Sequence, residues 1–453
     1  MGIRNRKHIL ILSLTILVGC GKASLDDLRE SLSDSPSSET TQEYSLEGVL
    51  SSSFGGGGGI VTQAGAIGQI AYGKSVVVDN SGSIFVGGYH YSTDSYSPDM
   101  TIWKFNQDGS PDTSFGGGDG VFSHSINPSE TINAMAIDSN GYIILVGTTF
   151  VSGNSDELAV WKVTPTGALD TSFGGGDGYV IHGNAAGGNG YDEGNAVAID
   201  SNDNIIVVGR SNGSTGTKAA IWKYTSNGVL DTSFGGGDGF ITTASNGVKT
   251  GVVIDSADNI YVTGYAGGEV TLWKYNTTGT LDSSFDSDGI FVFTNPGSDY
   301  SYDLVLDQTG NILLTGDLYD GSNSDMFIMR VTPLGNLDTT FGAGLGYITH
   351  NNAAGGNGYD TGKAINLDSE GNILIAGSSY DSSYDLAIWK VSPQGQLDTS
   401  FGGGNGYVTL NNIAGGNSGD RGEDLALTAS GTLVVTGKSV GTTSDEMFLL
   451  KLE

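Results

Sequence analysis

A basic residue recurs at positions 104, 162, 223, 274, 330, 390 and 451, and in the first six copies an Asp follows eight residues later, at 112, 170, 231, 282, 338 and 398. Two chemistries fit this spacing: a ring of cations for an anionic ligand, or an ion pair repeated inside a structural unit. Because the carboxylate travels with the cation, the repeated pair is the better account. Lys451 meets Ser51 where the scheme needs an Asp, so its pair is broken. His124, His182 and His350 share another slot, four residues past the last Gly of a glycine-rich turn. Gly68 to Ser75 (GQIAYGKS) spells a phosphate-binding loop, and Gly209 to Gly213 (GRSNG) and Gly437 to Gly441 (GKSVG) spell a nucleophile elbow. Both motifs need a strand that turns into a helix. Ser75 instead opens a strand (SVVVD), and Ser211 and Ser439 are expected in loops after strands, so no catalytic residue is assigned. The stretches Asp170 to Gly178 and Asp282 to Gly289 hold oxygen donors for calcium, but not at compact-loop spacing, and Asp, Asn and Gly are also what tight turns require. The reading is no metal site and no cofactor, with calcium the one ion left open.

The elements that must position these residues are repeats. The phrase LDTSFGGGDG stands at Leu169 to Gly178 and Leu230 to Gly239, and its Phe recurs at 54, 115, 173, 234, 285, 341 and 401. Seven units of this spacing fill Leu50 to Glu453 as one array. Within a unit, short β-branched runs such as AVAID (196–200), IIVVG (205–209), AAIWKY (219–224) and FITT (240–243) read as four strands. The first turn is Asp-x-x-Gly in four units and Thr-x-x-Gly at Thr428 to Gly431; in the other two, Asp203 and Asp258 stand for the Gly, which suits a turn ending in a left-handed residue.

Four-stranded antiparallel units repeated seven times pack radially as a β-propeller, an all-β fold, because stacking buries the faces that a lone sheet would expose. A linear solenoid is the competing architecture. The array ends in Met447 to Lys451 (MFLLK), a third strand, while Leu50 to Thr62 supplies a connection and a fourth strand ahead of unit one. A closed ring uses that N-terminal strand as the outer strand of the last blade; a linear array has no use for it. With strands about 4.7 Å apart, the fourth strands of adjacent blades lie roughly 17 Å from one another, too far for the three histidines to share a metal, which leaves them as rim residues.

The hairpin of Asp368 to Ile375 and the phrase Leu397 to Gly402 resemble the delta-sixty repeats of bacterial exported proteins and, less closely, the inner strands of NHL-type propellers. The resemblance covers Leu50 to Glu453 and implies a propeller used as an exported binding or interaction module. The chain departs from it in carrying Trp-Lys at Trp103, Trp161, Trp222, Trp273 and Trp389, with Arg kept only at Arg330.

Arg4, Arg6 and Lys7 precede an apolar run, Ile9 to Val18, that is too short to span a bilayer but fits a signal-peptide core. Leu17-Val18-Gly19-Cys20 resembles the lipobox of bacterial lipoproteins, which implies cleavage before Cys20 and its acylation. The expected organisation is a signal peptide at 1–19, Cys20 and a Ser/Asp/Glu-rich tether at 20–49, and the propeller at 50–453. The expected address is the bacterial cell envelope, reached by export and held by the lipid anchor, with the outer membrane favoured. Cys20 is the only cysteine, so no disulfide is expected.

With 50 acidic against 19 basic side chains the formal charge is -31, which excludes nucleic-acid binding by phosphate neutralisation. The first-to-second and third-to-fourth connections are regular, whereas the loops on the other face vary and are rich in Tyr, Asp, Asn and Ser. Tyr91, Asp94, Tyr96, Tyr191, Tyr319, Asp320, Tyr359, Tyr380, Asp381 and Tyr384 are therefore the candidate ligand-face residues. The expected function is a monomeric, non-catalytic binding or scaffold module for a protein or glycan. An exported propeller hydrolase or lyase, or a purely structural or adhesive surface protein, is the alternative.

Overall fold

The computed structural model of the chain describes residues 46–64, 70–91, 97–151, 156–188, 190–416 and 419–453. The expectations placed on residues 1–45, Cys20 included, and on Asp94 and Tyr96 lie outside these residues.

Each apolar run forms a strand, and unit one comprises Ala71–Val78, Ile84–Tyr91, Pro98–Phe105 and Val121–His124. Among the described residues there are five four-stranded sheets and one of seven strands. In the seven-stranded sheet, Phe240–Ile254 is shared: its first residues pair with Gly216–Tyr224 and its last with Ile260–Ala266. This is the unit with the shortest connection, so nothing separates the outer strand of one sheet from the inner strand of the next.

The second and third strands are buried on both faces, as in Ile205–Gly213 and Asp156–Val163, which explains their unbroken apolar runs. Each core cluster spans two consecutive units. Val146 and Val160 of unit two, for example, pack with Val207 and Trp222 of unit three. The same packing joins Val86 and Trp103 of unit one to Val434 and Leu449 near the C-terminus, and Ala71–Val78 lies against Arg421–Leu427. Ile60–Gln63 pairs antiparallel with Asp445–Leu452, Ile60 facing Leu450 and Gln63 facing Met447.

The recurrent Phe is fully buried in all seven copies. Its ring lies against the third-strand turn of the following unit, Phe173 against Gly228 and Phe341 against Gly395. The next residue's N–H donates across the same junction, Gly174 to Asn227 O at 3.0 Å and Gly342 to Gln394 O at 3.1 Å. Phe401 finds its turn in the N-terminal segment: its ring meets Gly48, and Gly402 N donates to Glu47 O at 3.0 Å. Leu46 is buried in the same cluster, so among the described residues the packing reaches back to Leu46.

The first turns follow the sequence reading. Asp79 Oδ1 accepts from the N–H of Ser81 and of Ser83, while Gly82 takes the left-handed place with φ 82°. Asp203 (φ 59°) and Asp258 (φ 61°) take that place in units three and four, and each uses its carboxylate to bind the preceding unit, Asp203 at Ser139 and Asp258 at Ser201.

Candidate functional site

Every inner strand slips by one residue at the same point of its ladder, as between Gly73 and Ser75 or between Gly362 and Ala364. The extra residue is a β-bulge, whose side chain is turned out of the regular alternation. In chain order the seven bulge residues are Lys74, Asn133, Asn195, Thr250, Tyr302, Lys363 and Glu423, and all of them line one cavity of about 170 Å³. A cavity that takes one side chain from each inner strand lies where those strands converge.

The bulge depends on a glycine in the second strand. A Cβ at Gly377 would collide with Thr361 O, and one at Gly209 with Glu193 O. The same collision with the inner-strand carbonyl awaits at Gly88, Gly147, Gly264, Gly316 and Gly437, which is why the second strand always carries Gly there.

The cavity wall is unevenly charged. Lys74 Nζ lies 3.4 Å from Glu423, and Lys363 Nζ sits 3.4 Å from the Tyr302 ring centre. Burial lowers the pKa of the Lys363 ammonium; Glu423 and Asp317 oppose this, while Lys74 and Arg421 reinforce it. On the other side Asn133 Nδ2 donates to Gly194 O at 2.9 Å, Asn195 Nδ2 to Lys249 O at 2.9 Å, and Thr250 Oγ1 to Ser301 O at 2.7 Å.

Asp303 and Asp424 also line the cavity and act as clips between units. Asp303 accepts from Leu304 N (2.8 Å) and from Ile365 N of the next unit (3.0 Å); Asp424 accepts from Leu425 N (2.8 Å) and, in unit one, from Val76 N (2.8 Å). Burial raises both, Asp303 to about 7 and Asp424 to about 6. A carboxyl group raised in the folded state binds more protons there than in the unfolded chain, so its contribution favours folding in mild acid and declines as pH rises through the folded value. Asp303→Asn removes that titration. Between pH 5 and pH 8 the wild type is expected to lose about 2–4 kcal/mol more stability than the variant, at about 1.4 kcal/mol per pKa unit. Urea denaturation at the two pH values measures this, and parallel pH profiles would refute the assignment.

Above the cavity the inner strands begin, on the same face as the variable loops. There the Arg421 guanidinium stacks 3.9 Å from the Tyr384 ring centre, Lys438 Nζ lies 4.8 Å from that of Tyr72, and Arg210 pairs with Glu193 at 2.7 Å beneath Tyr191. Burial lowers the Lys438 pKa, and Arg421 adds to this. Tyr72 packs edge-on against Tyr89, and Tyr89 against Tyr91.

Of the described ligand-face residues, Tyr91, Tyr191 and Tyr384 are thus brought to this mouth. Tyr380 packs on Tyr384 at 4.9 Å, and Tyr359 is largely exposed, its carbonyl accepting from Tyr380 N. Asp320 is engaged in its own turn with Ser322 and Asn323, Asp381 N bonds Ser383 O, and Tyr319 N donates to Asp299. The bulge residues were missed by the sequence reading. The slot changes in kind along the repeats, but so do its neighbours, which include Lys249, Asp303 and Asp424, so the sequence alone does not single it out.

The recurrent cations lie elsewhere, on the third strands. Lys104 pairs with Asp112 (2.9 Å), Lys274 with Asp282 (2.9 Å), Arg330 with Asp338 (2.7 Å) and Lys390 with Asp398 (3.2 Å). Two units depart from the expected partner. Lys223 is nearer Asp200 (3.0 Å) than Asp231 (3.9 Å), and Lys162 pairs with Asp138 at 2.9 Å. In both, the closer acid comes from the first turn. Lys451 reaches only Gln107 O, at 3.5 Å.

The histidines are not simple rim residues. His182 Nδ1 accepts from Trp222 Nε1 at 3.1 Å and His350 Nδ1 from Trp389 Nε1 at 3.2 Å, each a bond to the next unit, and burial lowers the pKa of both. Lys74 and Ser75 lie within a strand, not at a helix start. Ser211 and Ser439 also lie within strands, not loops, and their buried hydroxyls accept from Ala186 N and Ala414 N. Asp170 and Asp282 each use Oδ1 to bind the N–H and hydroxyl of the Ser two residues on.

No curated protein matches this chain. Five stretches, residues 80–115, 139–173, 201–234, 308–341 and 369–401, match the family model described as a domain of unknown function (DUF5122) beta-propeller. Each runs from the first turn through the third strand to the buried Phe. Among solved structures, virginiamycin B lyase from Staphylococcus aureus is similar at 9% identity and a TM-score of 0.46, over 87% of this chain and 100% of that one. Sqt1 from Chaetomium thermophilum is similar at 13% identity and 0.45, over 83% of each chain. An ulvan lyase of polysaccharide lyase family PL25 is similar at 12% identity and 0.46, over 83% of this chain and 90% of that one. The antiparallel four-stranded sheets and the five matched repeats together identify the chain as a β-propeller repeat protein.

Proposed function

We propose that the units close into a seven-bladed ring, with Ile60–Gln63 as the outer strand of the last blade, and that the ring is a non-catalytic binding module whose ligand docks at the axial mouth. The carrying observation is the contrast between two sets of polar residues. The third-strand cations recur with their acids as structural pairs, whereas the bulge slot differs almost from blade to blade, as a site for one asymmetric ligand requires. Closure is supported by the contact of Ala71–Val78 with Arg421–Leu427 and by the Gly402 to Glu47 bond. The module is a monomer anchored to the bacterial envelope, at the outer membrane, through lipid on Cys20, and its partner is a glycan or a protein.

The test is a screen of the full chain against glycan arrays and envelope proteins, with generic esterase, glycosidase and phosphatase substrates in parallel. Saturable binding that weakens by about tenfold or more in Arg421→Ala is expected, with no turnover. Turnover that is lost on the same substitution would replace this reading with the hydrolase or lyase alternative. Protease shaving of intact and lysed cells then places the mouth outside the cell or within the envelope.

A further inference from the structure

Resting on that reading, we infer that the axial cavity recognises an acidic saccharide, with the carboxylate of a uronic acid against Lys74 and Lys363 and its hydroxyls toward Asn133, Asn195 and Thr250. The charge distribution is the first argument. In a chain of net charge -31, seven basic side chains between Leu46 and Glu453 lie outside the third-strand slot, and Lys74, Lys363, Arg421 and Lys438 are four of them. These four come from blades six, seven and one, and Lys74 and Arg421 stand close enough to Lys363 and Lys438 to add to the lowering of their proton affinity that burial begins.

The second argument is how poorly these cations are neutralised. Each third-strand cation of the first six units has a carboxylate within 2.7 to 3.9 Å. Among the described residues at the axis, Lys74 alone has one, Glu423. Lys363, Arg421 and Lys438 each rest on a tyrosine ring, and Arg421 Nε is buried without a hydrogen-bond partner. Of the nearby acids, Asp445 accepts from Tyr72 OH at 2.7 Å and Asp424 is committed to backbone N–H groups, while Glu423 and Asp317 act on Lys363 without forming an ion pair with it. A bound carboxylate supplies the missing anion.

The opposite arc sets the rest of the ligand. Asn133 gives its N–H groups to Gly194 O and the Glu193 carboxylate, Asn195 gives one N–H to Lys249 O and Thr250 its hydroxyl to Ser301 O, so the oxygens of all three remain as acceptors suited to sugar hydroxyls. A cavity of about 170 Å³ has room for one ring, either a free uronic acid or the end of a chain.

Titration calorimetry of the detergent-solubilised full chain tests this with glucuronate, galacturonate and mannuronate, each as monomer and tetramer, and with their methyl esters. At least one acid is expected to bind, with the ester weaker by about tenfold or more and a similar loss in Lys363→Met and Lys438→Met. Lys218→Met, on the same face away from the channel, should bind as the wild type does. Tighter binding of the tetramer identifies a polymer end as the source and equal binding a free sugar. If Lys363→Met does not fold, Lys438→Met at the rim carries the test. Equal binding of acid and ester, or full binding by a folded Lys438→Met, overturns the inference. Failure of every acid while a neutral glycan or a protein still binds the mouth overturns it and leaves the binding module standing; failure of all ligands removes both.

Discussion

Deleting residues 46–63 will leave a protein with no cooperative unfolding transition, whereas deleting residues 21–43 will move the melting temperature by no more than about 2 °C. The longer-range argument starts from Phe54 and Leu46, both buried, one against the turn of unit one and the other within the last core cluster. Truncating one buried Phe to Ala costs about 3–5 kcal/mol. The deletion also strips Ile60–Gln63 from Met447 to Leu450 and removes the Glu47, Gly48 and Val49 N–H groups that converge on Glu453 O. Whole-domain stabilities are about 5–15 kcal/mol, so these losses together consume most of the margin. Scanning calorimetry of the two truncations decides the matter. Equal melting temperatures would sink the closed ring.

Gly377→Ala is expected to cost at least about 3 kcal/mol, far above an ordinary Gly to Ala change in a strand. The methyl group would meet the backbone oxygen of Thr361, which cannot rotate away, so the bulge that presents Lys363 must be abandoned. Gly403→Ala is the control. Gly403 has a φ of +67° but open space around its missing Cβ, so the change carries only the left-handed penalty of about 1–2 kcal/mol. Guanidinium denaturation of both variants reads the difference, and an equal cost in the two would show that the carbonyl contact does not control the bulge.

The repeat, its four strands and its turns were legible because each is written seven times. Even the substitutions by Asp203 and Asp258 followed from turn chemistry, and both residues adopt the left-handed conformation. The axial site was not legible, since a bulge is a slip of register between two strands and leaves no mark on either alone. Lys74 shows the difficulty: by letters it belonged to a phosphate-loop spelling, and only its place outside the ladder turns it toward the axis. The partner of Lys162 failed for a related reason. Asp138 and Asp170 both lie within reach in sequence, and it is the fold of the first turn that brings Asp138 to 2.9 Å. The histidines were placed in the correct strand, but the bonds of His182 and His350 run to Trp residues of the following unit, a contact that no spacing within a unit encodes.

The pairing of Ile60 with Leu450 also imposes an order of events on a chain made from its N-terminus. Ile60–Gln63 emerges ahead of the other described strands as a bare strand edge, and its partner Asp445–Leu452 is made after all of them. Intermediate sheets can form and stack in the meantime, but this pairing must wait, and among the described strand pairs it spans the longest loop and so carries the greatest closure cost. A ribosome stall or a nonsense codon before Asp445 therefore does more than shorten the last blade. It leaves two sticky edges on an otherwise folded array, and such products are the ones a cell must clear before they join to each other.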